Sequence, residues 1–425
     1  MSTSPEQLRL AADFPAATEE RWRELALGVL RKSGAATAET GPDEVDRLLA
    51  TTTYDGIRIG PLHTAAGAGA ATHPPFARPA GHWDVRQRYA GGEPAEVRAA
   101  ALADLENGAT SLWLVLGRGG LPVDALPAIL DGVHLGMAPV VLDAGADYEA
   151  AADAFLDLAG DTADVAGSLG ADPLGWQART GEALDVAGVA ELARRCAGGR
   201  PGLRAVTVDA TPYADAGGSD AEELGCALAA GVAYLRALTD AGLGTAAALG
   251  QLEFRYAAPA DQFGTIAKLR AARRLWARVA EACGEPAAGA QRQHAVTSAA
   301  MMTARDPWVN LLRTTLSCFG AGVGGADAVT VQPFDAALGL PDSFSRRVAR
   351  NTQNLLIEEG HLARVLDPAG GSWYVESRTA DLATVAWAWF QEIERAGGLA
   401  AALAGGLVAD RLAATWAERA DNLAH

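Results

Sequence analysis

Between residues 111 and 368 the chain repeats one alternation: a short run of aliphatic residues, then a longer stretch with helical spacing. The runs are SLWLVLG (111–117), APVVLDAG (138–145), DVAGSLGADP (164–173), LRAVTVDAT (203–211), LGQLEFRYA (249–257), QHAVTSAAMM (293–302), DAVTVQPFD (327–335) and ARVLDP (363–368). Patterns such as AEELGCALAAGVAYLRAL and DQFGTIAKLRAARRLWARVAEAC lie between them. A parallel strand cannot return by a hairpin, so strands separated by helices imply a parallel sheet. Eight such units suit a closed (β/α)8 TIM barrel, which takes about 250 residues. On pattern alone, a doubly wound open sheet remains the competitor.

The flanks do not share this rhythm. Residues 17–32 read as an amphipathic helix capped by Thr18, with Trp22, Leu25, Ala26 and Val29 on one face. A loose linker, SGAATAETG (33–41), leads to a short second helix opened by Pro42, Asp43 and Glu44, with Val45, Leu48 and Leu49 inside. Two short helices on a loose linker are expected to bury their faces on the main domain or on another chain. AAGAGAATHPPFARPAG (65–81) reads as a flexible loop. At the other end, 381–398 is a helix with Leu382, Val385, Ala386, Trp389 and Ile393 as its stripe, stopped by Gly397 and Gly398. A final helix covers about 407–422. The organisation read from this is a helical arm for partner contact (1–50), an extended lead-in (51–94), the barrel (95–400) and a C-terminal helix (401–425).

Composition narrows the setting. With 425 residues, 49% of them hydrophobic, the chain has ample core material. A net charge of −17 argues against nucleic acid as a partner. The four cysteines, Cys196, Cys226, Cys283 and Cys318, form no CxxC pair, which speaks for a reducing cytoplasm rather than a disulfide or zinc framework. MSTSPEQLRLAADFP lacks the basic and apolar regions of a secretory signal, and no apolar run reaches the roughly 20 residues that span a bilayer.

Candidate chemistry is sparse. None of the seven histidines pairs at metal-ligand spacing, and there is no HExxH. His294, within a strand run, reads as a hydrogen-bonded core residue. LDGVHLG (130–136) fails the cobalamin-binding DxHxxG pattern, because Asp131 and His134 are three apart. No P-loop, GxSxG or post-strand GxGxxG occurs; GAGVGGAD (320–327) reads as a helix end and turn. KLRAARRLW (268–276) reads as a solvated basic face with Leu269 and Trp276 packed. VTVDATPYADAGG (206–218) ends a strand in a polar mouth of Asp209, Thr211, Tyr213 and Asp215, where a barrel would place catalytic groups. A barrel mouth with no evident acid, base or nucleophile set points to cofactor-borne chemistry or to none.

Four stretches resemble the cobalamin-dependent acyl-CoA mutases, and methylmalonyl-CoA mutase in particular. They are TTTYDGIRIGPLHT (51–64), IAKLRAARRLW (266–276), TARDPWVNLLRTT (303–315) and SFSRRVARNTQNLLIEEGHLARVLDPAGGSWYVE (343–376). RNTQ followed by DPxGGSxYVE is the most specific signal. The resemblance covers nearly the whole chain. It implies a (β/α)8 barrel with acyl-CoA threaded along its axis, and adenosylcobalamin on a separate C-terminal domain. On this resemblance the 425 residues are expected to hold the barrel and not that cobalamin-type domain.

The same resemblance exposes departures. Catalytic chains of this family end the strand at 203–211 with glycine, tyrosine and histidine. Aligned through the following Ala-Gly, the tyrosine and histidine positions here hold Thr211 and Pro212. Their His-Ser-Gln becomes His294, Ala295 and Val296; their Thr-Asn pair becomes Val331 and Gln332; a serine becomes Glu253. The CoA-wrapping segment is shortened at 74–92, although Trp83, Arg86 and Gln87 of its WxxRQ core remain. What the resemblance implies is a non-catalytic small subunit that supports the catalytic large subunit of a heterodimeric mutase. On that reading this chain binds no cofactor itself, adenosylcobalamin is held by the partner, and the lumen is filled or narrowed. Two alternatives stay open: an active acyl-CoA mutase barrel using a separate cobalamin-domain chain, and a non-catalytic scaffold for acyl-CoA or a chaperone.

Overall fold

The computed structural model describes residues 17–65, 76–77, 81–162 and 164–424. The chain divides into two compact units at Thr64 and Ala65.

In the first unit, helix α1 (Glu19–Lys32) starts where Thr18 caps it by accepting from the Arg21 backbone amide. A 3₁₀ turn, Pro42–Glu44, runs into α2 (Val45–Leu49), and a two-rung antiparallel hairpin pairs Thr51 with Ile59. The two helices do bury a face against each other. Leu27 and Leu30 pack on Val45, with Trp22, Ala26 and Leu48 around them. The expected stripe is therefore corrected: Leu25 and Val29 are exposed, 58% and 66%, and lie outside this small core.

The second unit is the barrel. Its strands are β1 (Asp84–Tyr89), β2 (Ser111–Val115), β3 (Val140–Asp143), β4 (Gly167–Ala171), β5 (Leu203–Asp209), β6 (Leu252–Ala258), β7 (Arg292–Thr297) and β8 (Ala328–Thr330). All neighbours pair in parallel, and β8 closes onto β1 with Val329 opposite Val85. The expected fold is thus observed, with one correction at each end of the strand series. The first strand is DVRQRY, inside the stretch read as lead-in, and ARVLDP is no strand: Leu362–Arg364 is a 3₁₀ turn.

The helices used below are α3 (Pro94–Glu106), α4 (Pro173–Thr180), α5 (Asp220–Asp240), α6 (Gln262–Ala282), α7 (Val309–Val323), α8 (Ser343–Asn354), α9 (Trp373–Arg395) and α10 (Leu407–Ala424). A capping box starts α5, where Ser219 and Glu222 exchange bonds. GAGVGGAD ends α7 and turns at Gly325, φ +86°, as expected. α9 begins at Trp373, eight residues before the sequence pattern, and buries Leu382, Ala386, Trp389 and Ile393.

The motifs that carry the resemblance are structural pins. Trp83 of WxxRQ donates its indole N–H to Gln353 of RNTQ at 3.1 Å, and Arg350 of RNTQ pairs with Asp104 on α3. Arg270 on α6 bridges Asp367 and Glu376, the first and last residues of DPAGGSWYVE. This overturns the solvated face expected for KLRAARRLW. Lys268, Arg270 and Arg273 are all buried, Lys268 between Asp220 and Glu223 at 2.9 and 2.6 Å. Arg273 donates to Gln293 at 2.7 Å and to the Gly324 carbonyl at 2.6 Å. No described helix is long and apolar enough to cross a membrane.

Candidate functional site

Side chains of one barrel wall meet those of the opposite wall, so the lumen is a place of contact rather than a channel. At the N-terminal end, Arg86 on β1 donates to Glu253 on β6 at 2.7 Å. These strands are not neighbours, so the bond crosses the interior. Arg292 on β7 donates to the other Glu253 oxygen at 3.2 Å. Arg86 and Glu253 are within 1% of complete burial. Burial alone would raise the Glu253 pKa, but Arg86 and Arg292 bring it down to about 2.

One layer up, Arg255 on β6 lies over the Trp113 ring of β2, 4.0 Å from its centroid. His294 on β7 meets the same ring edge-on at 5.3 Å. The imidazole is hydrogen-bonded at both nitrogens: Nδ1 accepts from Arg255 at 3.3 Å and Nε2 lies 2.8 Å from the Thr330 hydroxyl. Burial lowers its pKa, and Arg86, Arg255 and Arg292 push the same way. It is therefore a neutral core histidine, as expected from sequence.

At the C-terminal mouth Arg255 also reaches Asp143 on β3 and Asp209 on β5, both at 3.0 Å. Arg179 on α4 donates to Asp209 at 2.7 Å. Burial opposes ionisation of Asp209, yet Arg255 and Arg179 hold its carboxyl well below the usual range. A cavity of about 470 Å³ opens above this layer. Thr211, Pro212, Val296 and Gln332 all line it, so four of the six departures converge on one place. Thr211 bonds back to Asp209 at 2.7 Å, and Val296 packs on Trp113 and Val141. Gln332 is tied to the Thr297 backbone carbonyl.

The other two lie elsewhere. Glu253 is at the far end of the lumen. Val331 is buried beside a second cavity of about 270 Å³ between the ends of β1 and β8, which Gln332 also lines. Asp209 and Asp215 do not act as a pair: Asp209 is committed to arginines, and Asp215 stands on the rim, pushed up to about 6 by burial and by Asp209. Tyr213, expected at the polar mouth, is withdrawn from it. The strand stops at Asp209, and Thr211–Asp215 is a helical turn that buries Tyr213. Sequence reading missed Arg88, Trp113, Asp143, Arg179 and Arg255. The alternation of arginine with apolar residues in DVRQRY and LEFRYA was the available signal.

The geometry is that of a (β/α)8 barrel whose axis is crossed by its own side chains. The family model for methylmalonyl-CoA mutase matches residues 115–425. The chain belongs to this family. It is 61% identical over 433 residues to the methylmalonyl-CoA mutase small subunit of Streptomyces virginiae, covering 98% of this chain and 70% of that protein. It is 40% identical over 440 residues to the small subunit of Propionibacterium freudenreichii subsp. shermanii, covering 99% of this chain and 69% of that one. The methylmalonyl-CoA mutase of Escherichia coli is 37% identical over 221 residues, 52% of this chain and 31% of the relative. Likeness to proteins named small subunit thus runs the length of the chain, while likeness to that mutase covers half of it.

Proposed function

We propose that this chain is the non-catalytic small subunit of a heterodimeric methylmalonyl-CoA mutase, supporting a catalytic large subunit that interconverts methylmalonyl-CoA and succinyl-CoA. The observation that carries the reading is the lumen itself. Arg86, Glu253, Trp113, Arg255 and His294 stand where the resemblance implies a threaded acyl-CoA, and each is held by a partner across the barrel. Thr211 and Pro212 offer no imidazole or phenol at the mouth, and proline has neither a titratable side chain nor a backbone N–H.

The family is cobalamin-dependent, and the residues of this chain do not fit that cofactor. Among the described residues, the lumen imidazole of His294 has both nitrogens engaged. On this reading adenosylcobalamin belongs to the large subunit. The arm (1–50) is the proposed partner contact, because α1 keeps Leu25 and Val29 exposed after its other face is buried. The place of work is the cytoplasm, consistent with unpaired thiols at Cys196, Cys226 and Cys318.

Co-expression with the large subunit, followed by native mass spectrometry, tests the reading. A one-to-one complex is expected, with turnover abolished by mutating the active-site histidine of the large subunit. Deleting residues 1–50 should weaken association. Turnover of an acyl-CoA by this chain with a cobalamin-domain protein alone would overturn it.

A further inference from the structure

The cavity above the C-terminal mouth holds two charges that the chain itself does not use. Five charged side chains line it: Arg88, Asp143, Arg179, Asp209 and Asp215. Three of these are committed, together with Arg255 beneath them. Arg255 lies 3.0 Å from both Asp143 and Asp209, and Arg179 lies 2.7 Å from Asp209 and 3.9 Å from Asp143. Two guanidiniums and two carboxylates thus close a neutral ring. Arg88 and Asp215 are left over. Both are exposed, and among the described residues neither has an ion-pair or hydrogen-bond partner. They line one cavity without bonding to each other.

The walls between them are mostly apolar. Trp113, Pro212, Ala257 and Val296 line the same space, and the Arg88 guanidinium lies 4.9 Å from the centroid of the Trp113 ring. Ser298 also lines it. That residue is only 6% exposed, and among the described residues its hydroxyl has no partner. A buried hydroxyl is ordinarily bonded. The volume of about 470 Å³ falls in the range of roughly 300–1,000 Å³ that small-molecule sites occupy. An apolar concavity with a few convergent polar groups is the form such sites take.

We propose that this cavity binds a small zwitterion of the amino-acid class. Its carboxylate meets Arg88 and the Ser298 hydroxyl, its ammonium meets Asp215, and its carbon chain lies against Trp113, Pro212 and Val296. A planar guanidinium suits a carboxylate, which it can hold by two parallel bonds. The opposite signs of the two free groups set the class. A simple anion would satisfy Arg88 and be repelled by Asp215, and a simple cation would do the reverse. A neutral ligand would cover both charges without pairing either, at a cost in desolvation. Only a ligand of both signs satisfies both groups, so selection works by repulsion as well as attraction. The assignment goes beyond the small-subunit reading and does not rest on it, because no partner chain, cofactor or reaction enters it.

Isothermal titration calorimetry on the full chain tests it. The probes are leucine, β-alanine and γ-aminobutyrate, which step the distance between the two charges. Each is compared with its own analogue lacking the amino group and its own analogue lacking the carboxyl group. At least one zwitterion should bind about tenfold or more tighter than both of its analogues. Arg88→Gln and Asp215→Asn should each weaken that zwitterion about tenfold or more, as loss of a charged hydrogen bond does. Thermal unfolding of both variants without ligand should match the parent, since neither side chain has a partner to lose. If no zwitterion binds, the two charges are merely solvated and the proposal falls. If the analogue lacking the amino group binds as tightly as its zwitterion, or Asp215→Asn binds like the parent, the cavity reads an anion alone and the proposal is wrong.

Discussion

Glu253 shows how far a single residue can be read. Standing where the resembled family has a serine, it was foreign to a substrate channel, and through the resemblance that was legible. Its partners, 167 and 39 positions away in sequence, were not. A carboxyl whose folded pKa lies below its unfolded value adds stability that is fully present above the unfolded pKa, about 4.5 here, and is lost as pH falls towards 2. Glu253→Gln should therefore flatten the stability–pH curve between those values. It should also cost roughly 3–5 kcal/mol at neutral pH, because buried Arg86 loses its short partner and keeps only the longer contact to Asp84 at 3.8 Å. Urea unfolding at pH 7 and at pH 3 reads both effects; equal midpoints at pH 7 would show that the pair contributes nothing. His294 was read correctly from the bland expectation for a lone histidine. The arginines were not, because a charge inside an alternating strand looks like solvent exposure until the sheet closes around it.

At the scale of elements, the strands with aliphatic runs were legible and β1 was not. DVRQRY alternates Arg86 and Arg88 with Val85, Gln87 and Tyr89; Arg86 is buried in the lumen, while Arg88 is exposed at its mouth. ARVLDP had the opposite failing: it is apolar enough for a strand, but its own Asp367 is held by Arg270 and the run opens with a 3₁₀ turn. Two predictions belong here. Arg270→Ala leaves Asp367 and Glu376 without their shared cation and should destabilise the fold by roughly 3–5 kcal/mol, measured by chemical denaturation. Gly170 on β4 has φ +72°, and an added Cβ would meet the Leu142 carbonyl oxygen at 1.8 Å. That contact is backbone and cannot swing away. Gly170→Ala should part β3 from β4 and give a chain that is insoluble or has lost its cooperative unfolding transition. A soluble variant with an unchanged melting temperature would contradict the register described here.

For the whole molecule, the alternation of strand and helix was enough to place the closed barrel over the open sheet once the family motifs were added. That the interior is occupied depended on departures that only the resemblance made visible. Because Trp113 and Arg255 cross the axis, CoA esters should leave the melting temperature of the isolated chain unchanged. A ligand at a hundredfold excess over its dissociation constant would add about 2.7 kcal/mol and be easily seen. A clear upward shift with a CoA ester, absent with free phosphate, would mean that the axis still admits a pantetheine arm.

The crossed arginines and carboxylates also bear on what this barrel can become. Restoring a passage would require removing Arg86, Glu253 and Arg292 at one end and Arg255 with its acids at the other. Taken singly, each removal strands an opposite charge in the interior at roughly 3–5 kcal/mol, against a total stability of about 5–15 kcal/mol for a typical domain. The path back to a hollow axis thus runs through forms that barely fold. On the proposed small-subunit reading, an interior locked by its own ion pairs works as a ratchet: it would preserve the shape that a partner grips while closing the route by which chemistry could return one substitution at a time.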